Sequence, residues 1–191
     1  IEFNSEDTER ENLGHIVCEG DIQKFALNAL NEKQISFYWE NNLEEVKKES
    51  SEIICRTSRD IFSCSVLIGC DGISSSVRDL AKFKSRSWSY NQTAIVANFK
   101  SNQIDSTIKQ TFTKVGPLAL LPINEEELTM IWSIDDEYAF EFLQKGEEEF
   151  IQSIYSHFGE EIGDLSFSTV RQSFPLNLSL IHISEPTRRT D

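Results

Sequence analysis

The stretch Cys64-Ser65-Val66-Leu67-Ile68-Gly69-Cys70-Asp71-Gly72-Ile73-Ser74-Ser75-Ser76-Val77-Arg78 decides how this chain is read. Its first half is a short apolar run with β-branched residues, which predicts a strand buried on both faces in a parallel sheet. An Asp-Gly turn follows, then serines where a helix needs an N-cap, then Val77, Leu80 and Ala81 as the apolar side of a short helix. Strand, turn and helix N-terminus in series make the kind of crevice in which α/β proteins hold phosphate-bearing ligands. An Asp-Gly pair alone also serves as ordinary chain reversal, so the reading depends on the flanking sequence.

Upstream, Leu13 to Cys18 reads as a short strand, and Asp21 is placed to cap a helix whose apolar positions Ile22, Phe25, Ala26, Ala29 and Leu30 recur at helical spacing. His15 has no nucleophile or carboxylate pattern around it and is read as a structural residue. From Ile35 to Cys64 apolar residues alternate in short runs, which predicts antiparallel ribbon strands with a hairpin tip inside Glu44 to Glu52.

Downstream, the short helix should end near Phe83. Residues 93–99, 108–113, 118–122 and 128–134 then read as four strands of a mainly antiparallel sheet. Gly116-Pro117 and Leu121-Pro122 bracket one of them and, locally, look like turn chemistry. Glu137 to Phe158 carries two apolar stripes, Tyr138, Phe142 and Leu143, then Phe150, Ile151, Ile154 and Phe158 beyond Gly146, and predicts helices packed on the sheet. Leu165 to Phe174 offers a last alternating strand containing Arg171.

Composition narrows the partners. With 191 residues and 39% hydrophobic content the chain can build a proper core, and its net charge of -14 disfavours a nucleic-acid partner. Cys18, Cys55, Cys64 and Cys70 include no Cys-x-x-Cys pair, and three of them lie in apolar surroundings. They are read as buried free thiols of a reducing compartment, with no metal centre. No segment approaches the roughly 20 apolar residues of a membrane span, and no basic leader opens the chain. A cytoplasmic location follows as the expectation.

The pattern Gly-x-Asp-Gly-x-x-Ser-x-x-Arg formed by Gly69, Asp71, Gly72, Ser75 and Arg78 resembles the second flavin motif of the aromatic-ring hydroxylase flavoproteins. Leu13-Gly14-His15-Ile16-Val17-Cys18-Glu19, Tyr90 to Asn98, Phe112 to Pro122, Trp132 and Arg171-Gln172-Ser173-Phe174-Pro175-Leu176 extend the likeness in order, and are similar to the ubiquinone-biosynthesis hydroxylase branch. The resemblance covers nearly all of residues 13–177. It implies an α/β (α+β) fold as in p-hydroxybenzoate hydroxylase-like flavoproteins: an incomplete FAD-binding Rossmann-like part over residues 1–87, and a mainly antiparallel substrate-domain sheet packed with helices over residues 88–177.

The same resemblance implies an FAD-dependent monooxygenase that uses NAD(P)H and O2 to hydroxylate an aromatic ring, with a polyprenyl phenol as its substrate class. Asp71, Gly72, Gly69, Ser75, Arg78 and Glu19 would belong to the cofactor site. Gly116, Pro117, Trp132 and Arg171 would lie near flavin and substrate, and no catalytic residue is assigned. A greasy substrate further implies peripheral contact with the inner membrane or a biosynthetic complex. Two other readings stay open: a related hydroxylase of small phenols, and a non-catalytic nucleotide-binding domain.

The Gly-x-Gly-x-x-Gly fingerprint and the third, Gly-Asp-containing flavin motif do not occur in the sequence. The chain is therefore expected to be an internal fragment, inactive by itself and weak in FAD binding. Leu178 to Asp191, including His182, resembles a translated sequencing adaptor and is set aside from fold reasoning.

Overall fold

The computed structural model describes residues 1–8, 11–31, 33 and 35–181, with side chains of the last strand described to residue 178. The chain divides into two compact units, which among the described residues are 1–33 with 89–176, and 35–88 with 177–181. Among the described residues no helix is long and apolar enough to cross a membrane.

The first unit is built on a six-stranded sheet, in which β4 (Ser85–Lys100), β5 (Lys109–Thr113), β6 (Gly116–Pro122), β7 (Glu127–Asp135), β8 (Ser166–Phe167) and β9 (Gln172–Ile181) take the order β5-β6-β7-β4-β8, with β9 also pairing β4. The pairings whose register is described are antiparallel. The four strands foreseen between Thr93 and Ile134 are therefore present, three close to their expected bounds, whereas β4 starts eight residues before the expected Thr93.

Alternation puts Ile95, Ala97, Phe99, Leu118, Leu120, Leu128, Met130, Trp132 and Ile134 on one face, where the helices α3 (Asp136–Gln144) and α4 (Glu147–Phe158) contribute Phe142, Leu143, Phe150, Ile151, Ile154 and Phe158 to the same cluster. Trp132, Phe99, Phe150 and Ile95 are fully buried, and each such side chain supplies about 1.5–3 kcal/mol of burial free energy. Three glutamates, Glu147, Glu148 and Glu149, occupy the first turn of α4, where the helix dipole favours negative charge.

The last foreseen strand, Leu165 to Phe174, is interrupted. β8 pairs with Phe99 and Lys100, after which the Ser168 and Thr169 N–H groups both turn to the Asn98 carbonyl. That shared acceptor ends the ladder, and Arg171 lies between β8 and β9 rather than inside a strand. β9 runs to Ile181, so residues 178–181 of the adaptor-like tail take part in a strand that pairs β4, whereas His182 and the rest of that tail lie outside the described residues.

The helix foreseen after Cys18 forms as α1 (Glu19–Asn31), three residues earlier than a cap at Asp21 would allow: the Asp21 and Ile22 N–H groups already donate to the Cys18 carbonyl. No residue of α1 is buried, and Ile22 and Phe25 are exposed. Leu13 to Cys18 is not a strand, because among the described residues no strand lies beside it to complete its hydrogen bonds. His15 is correspondingly exposed, at the rim of an open hollow of about 350 Å³ that Asp105 and Glu125 also line.

The second unit contains a three-stranded antiparallel sheet, β1 (Leu43–Glu49), β2 (Glu52–Thr57) and β3 (Ile61–Cys64), followed by α2 (Ser76–Leu80). The foreseen ribbon forms from Leu43 to Cys64, with its turn at Ser50-Ser51, whereas its first foreseen run, Ile35 to Trp39, is not a strand. The buried parallel strand foreseen at Val66 to Gly69 does not form. Cys64 pairs with Ile53, one residue from the start of β2, so beyond Cys64 the neighbouring strand has run out into its turn. Without a partner the segment stays irregular, and Val66 and Ile68 are exposed.

The thiols also differ from expectation. All four are free, but only Cys55 is buried; Cys64 is half-buried, and Cys18 and Cys70 are exposed in the irregular segments just described. Burial, followed by interaction with Cys64, pushes the Cys55 thiol up, which leaves it less nucleophilic than an ordinary cysteine.

Candidate functional site

The Asp71 turn is built from its own side chains. One Asp71 carboxylate oxygen accepts from the Ser75 hydroxyl, and the other accepts from the Val77 N–H at 3.0 Å. The Ser75 hydroxyl oxygen in turn accepts from the Arg78 N–H at 3.0 Å and caps α2. Ser75 fulfils the cap foreseen for it, and two of the free N–H groups at the helix start are satisfied by side chains.

Two glycines complete the turn for different reasons. Gly72 has φ +80, a conformation that costs side-chain-bearing residues, and an added Cβ there would meet open space. Gly69 is needed for room, since its Cβ would come within 2.9 Å of Val77 Cγ1. The backbone from Gly72 to Ser74 is exposed, whereas Ser75 is buried. Arg78 directs its Nε to Asp79 at 3.4 Å, so its charge has a carboxylate partner at the surface.

The Ser75 hydroxyl first, and the Val77 N–H second, hold the Asp71 carboxyl below its ordinary value of 3.8. A carboxylate depressed in the folded state contributes stability above the unfolded value, and that contribution is lost as pH falls through the folded value. Acidification from pH 5 toward about pH 2 is therefore expected to loosen the α2 turn. An upfield step in the Val77 amide proton on acidification, tracking the Asp71 carboxyl carbon, checks this; a Val77 shift independent of that titration would refute the coupling.

In the other unit, Glu19 opens α1 and accepts from the Gln23 side-chain amide at 3.0 Å. Gly116 begins β6 in a place where only a hydrogen fits: a Cβ would lie 1.9 Å from the Ser133 carbonyl oxygen. The Gly116-Pro117 pair therefore serves the approach of β6 to β7, beyond ordinary turn chemistry. Trp132 is 1% exposed, edge-on to Phe142 at 4.8 Å and to Phe150 at 6.2 Å.

Arg171 donates to the Phe142 carbonyl at 3.0 Å and the Lys145 carbonyl at 2.6 Å, at the C-terminal end of α3, with its guanidinium carbon 4.8 Å from the Phe150 ring centre. A cation at a helix C-terminus satisfies orphan carbonyls and the dipole together. The sequence-derived residues thus fall into two groups. Gly69, Asp71, Gly72, Ser75 and Arg78 lie in one unit, and Glu19, Gly116, Pro117, Trp132 and Arg171 in the other.

One feature escaped the sequence reading: the second face of the large sheet. Val96 pairs with Ile131 and Ile131 with Ala119, while Asn98 pairs with Thr129 and Thr129 with Leu121. These residues are half-buried, and Phe112, opposite Pro117, is 82% exposed. Thr129 donates its hydroxyl to the Asn98 side-chain oxygen at 2.9 Å, the polar pair on this face. By register Gln92, Gln110 and Ser133 share this face, so it is a mixed surface with an apolar patch at Val96, Ile131, Ala119 and Leu121. The continuous apolar composition of Leu118 to Leu121 and of Met130 to Trp132 was the available clue.

Residues 18–177 match the family described as FAD binding domain. The chain belongs to that family. It is 29% identical over 171 residues to the mitochondrial ubiquinone biosynthesis monooxygenase COQ6 of Mus musculus, an alignment covering 82% of this chain and 36% of the relative. The Danio rerio counterpart is 37% identical over 95 residues, 49% of this chain and 20% of the relative. The chain spans about a third or less of the length of these curated relatives.

Among solved structures, PqsL of Pseudomonas aeruginosa, a probable FAD-dependent monooxygenase, superposes with TM-score 0.65 at 16% identity, covering 81% of this chain and 46% of that one. p-Nitrophenol 4-monooxygenase PnpA of Pseudomonas putida DLL-E4 gives TM-score 0.65 at 9% identity, covering 87% and 44%. These likenesses establish the fold, a mixed helix and antiparallel-sheet architecture of the p-hydroxybenzoate hydroxylase type.

Proposed function

We propose that the chain is part of a flavin-dependent monooxygenase that hydroxylates an aromatic ring, with a polyprenyl phenol of ubiquinone biosynthesis as its substrate. The observation that carries this reading is the second face of the sheet. Val96, Ala119, Leu121, Ile131 and Phe112 form an apolar patch on it, beside the hydrogen-bonded Asn98 and Thr129 side chains. A flat ring bearing one or two oxygens and a long apolar tail suits that mixture. The names of the curated relatives support the same substrate class.

The turn residues fit FAD as one wall of its site. Gly72 leaves its backbone open, Gly69 lets the segment pack against Val77, and the Asp71 charge is taken up by Ser75 and the Val77 N–H instead of facing a phosphate. Gly69, Asp71, Gly72, Ser75 and Arg78 would hold the cofactor's phosphate and ribityl portion. Gly116, Pro117, Trp132 and Arg171 would shape the wall on the substrate side. Gly116 and Pro117 act by setting the β6 start, and Trp132 and Arg171 by fixing the sheet against α3 and α4.

Bound FAD would supply reduction by NAD(P)H and activation of O2. The chain's own contribution is to orient the ring on an apolar surface and to keep water from it. Contact with the membrane that stores such a substrate belongs to the same reading.

Substrate-stimulated NAD(P)H oxidation by the full-length protein tests it. Stimulation by short-chain polyprenyl phenols, lowered at least about tenfold in kcat/KM when Ile131→Asp puts a charge on the sheet face, is the expected result. Stimulation by small phenolic acids alone would overturn the substrate assignment.

A further inference from the structure

Two of the four thiols lie on neighbouring strands of the three-stranded sheet. The antiparallel register sets Cys64 opposite Ile53 and Cys55 opposite Phe62. Ile53 and Cys55 stand two apart on β2, so Cys55 and Cys64 project from the same face as diagonal neighbours. Their side chains meet there: burial first, and a hydrogen bond with Cys64 second, push the Cys55 thiol up. The Cys64 thiol itself donates to the Ile53 carbonyl at 3.6 Å.

The pair differs in access and in freedom to move. Cys55 is 4% exposed, whereas Cys64 is half-buried, so a reagent in solution meets Cys64 first. Cys64 is also the last residue of β3, the edge strand of its sheet, and residues 65–70 beyond it form no strand. Diagonal neighbours stand roughly 7–8 Å apart, and a disulfide holds its Cα atoms at about 4.4–6.8 Å. The end of an edge strand can close that gap without breaking a ladder on its far side.

We infer that Cys55 and Cys64 are a dithiol modification site, which hydrogen peroxide converts to a disulfide joining β2 to β3. In the first step the Cys64 sulfur, as thiolate, attacks one peroxide oxygen. The O–O bond breaks, and the departing hydroxide takes up the thiol proton as water, leaving Cys64 as a sulfenic acid. In the second step the Cys55 sulfur attacks the Cys64 sulfur, the S–O bond breaks, and hydroxide leaves with the Cys55 proton as water. One peroxide accepts two electrons, and the products are one disulfide and two waters. Contact with Cys64 offsets the small thiolate fraction of the buried Cys55. In a reducing compartment such a bridge is transient, formed under peroxide and removed by other thiols. The site is independent of the flavin reading and does not need that reading to hold.

The test treats the full chain with an equimolar amount of hydrogen peroxide, alkylates it in denaturant and maps the cysteines by tandem mass spectrometry. The expected product has Cys55 bridged to Cys64, with Cys18 and Cys70 alkylated, and dithiothreitol returns it to four free thiols. In urea the preference should vanish, because Cys70, six residues from Cys64 where Cys55 is nine, then competes at least equally. Cys64→Ala should slow oxidation of Cys55 at least about tenfold, since the buried thiol has lost its exposed partner. Cys55→Ala should leave Cys64 as a sulfenic acid that dimedone captures. Should either variant lose its circular dichroism, the wild-type maps in buffer and in urea decide by themselves.

A native bridge between Cys64 and Cys70, Cys64 driven to sulfinic acid with Cys55 still free, or undiminished oxidation of Cys55 in folded Cys64→Ala would each overturn the inference. So would an excess of the bridge between Cys55 and Cys64 that persists in urea.

Discussion

Gly116→Val is expected to destabilise the sheet unit by about 4 kcal/mol, as overpacking against backbone adds to the strain of a β-branched residue at positive φ. The conflict is with a carbonyl, not a side chain that can swing away. A Cβ at position 116, where φ is +135, would stand 1.9 Å from the Ser133 oxygen. Relief requires β6 to withdraw from β7 at the end where Leu118 pairs with Trp132. Typical domains hold only about 5–15 kcal/mol in total, so the urea midpoint should fall by about 2 M. Near-UV circular dichroism reports the event, because Trp132 is buried while Trp39 and Trp88 are exposed. Gly20→Ala, with nothing near its added methyl, should stay within about 1 kcal/mol of wild type. A Gly116→Val midpoint equal to that control would contradict the close approach of β6 and β7.

Arg171→Met is expected to cost about 3–5 kcal/mol, through two charge-assisted hydrogen bonds and a partly desolvated cation–π contact. Methionine keeps most of the stem's packing, so the loss isolates the guanidinium. Its removal strands the Phe142 and Lys145 carbonyls and leaves the Phe150 ring without its cation. Arg171→Lys should recover part of the loss, since one ammonium cannot reproduce the guanidinium fork. Urea unfolding without any flavin is the measurement. A change below about 0.5 kcal/mol would mean that Arg171 braces nothing, and that its place in the sequence pattern reflects a ligand alone.

The elements legible in the sequence were those whose burial pattern repeats locally. Val96 to Phe99, Leu118 to Leu121 and Leu128 to Ile134 sit on strands because neighbours two residues apart share a face, and Phe150, Ile154 and Phe158 declare α4 by helical spacing. Val66 to Gly69 misled because an apolar run records a tendency to be buried, whereas a strand also needs a partner, and the partner of β3 stops opposite Cys64. Leu13 to Cys18 misled in the same way.

At the site, the Asp-Gly motif and the Ser75 cap were visible, since helix caps are local chemistry. The inward turn of the Asp71 carboxylate, which spends its charge on Ser75 and Val77, was not visible, because motif spacing says nothing about side-chain direction. Arg171 was noticed, but its partners lie 26 and 29 residues earlier, beyond any local pattern. The sheet's second face was missed because face composition emerges only when the strand register is known.

The weaving of the sheet also sets an order of events during synthesis. β4 is flanked by β7 on one side and β8 on the other, so the strand made first of the six waits for partners made much later. While the ribosome adds residues at about 5–20 per second, a nascent chain that has emerged through β7 still lacks the segment that covers Phe99. Phe167, whose ring centre lies 4.4 Å from that of Phe99, arrives with β8. For those seconds Phe99 and its neighbours form an uncovered apolar surface on a growing polypeptide, a natural client for a chaperone.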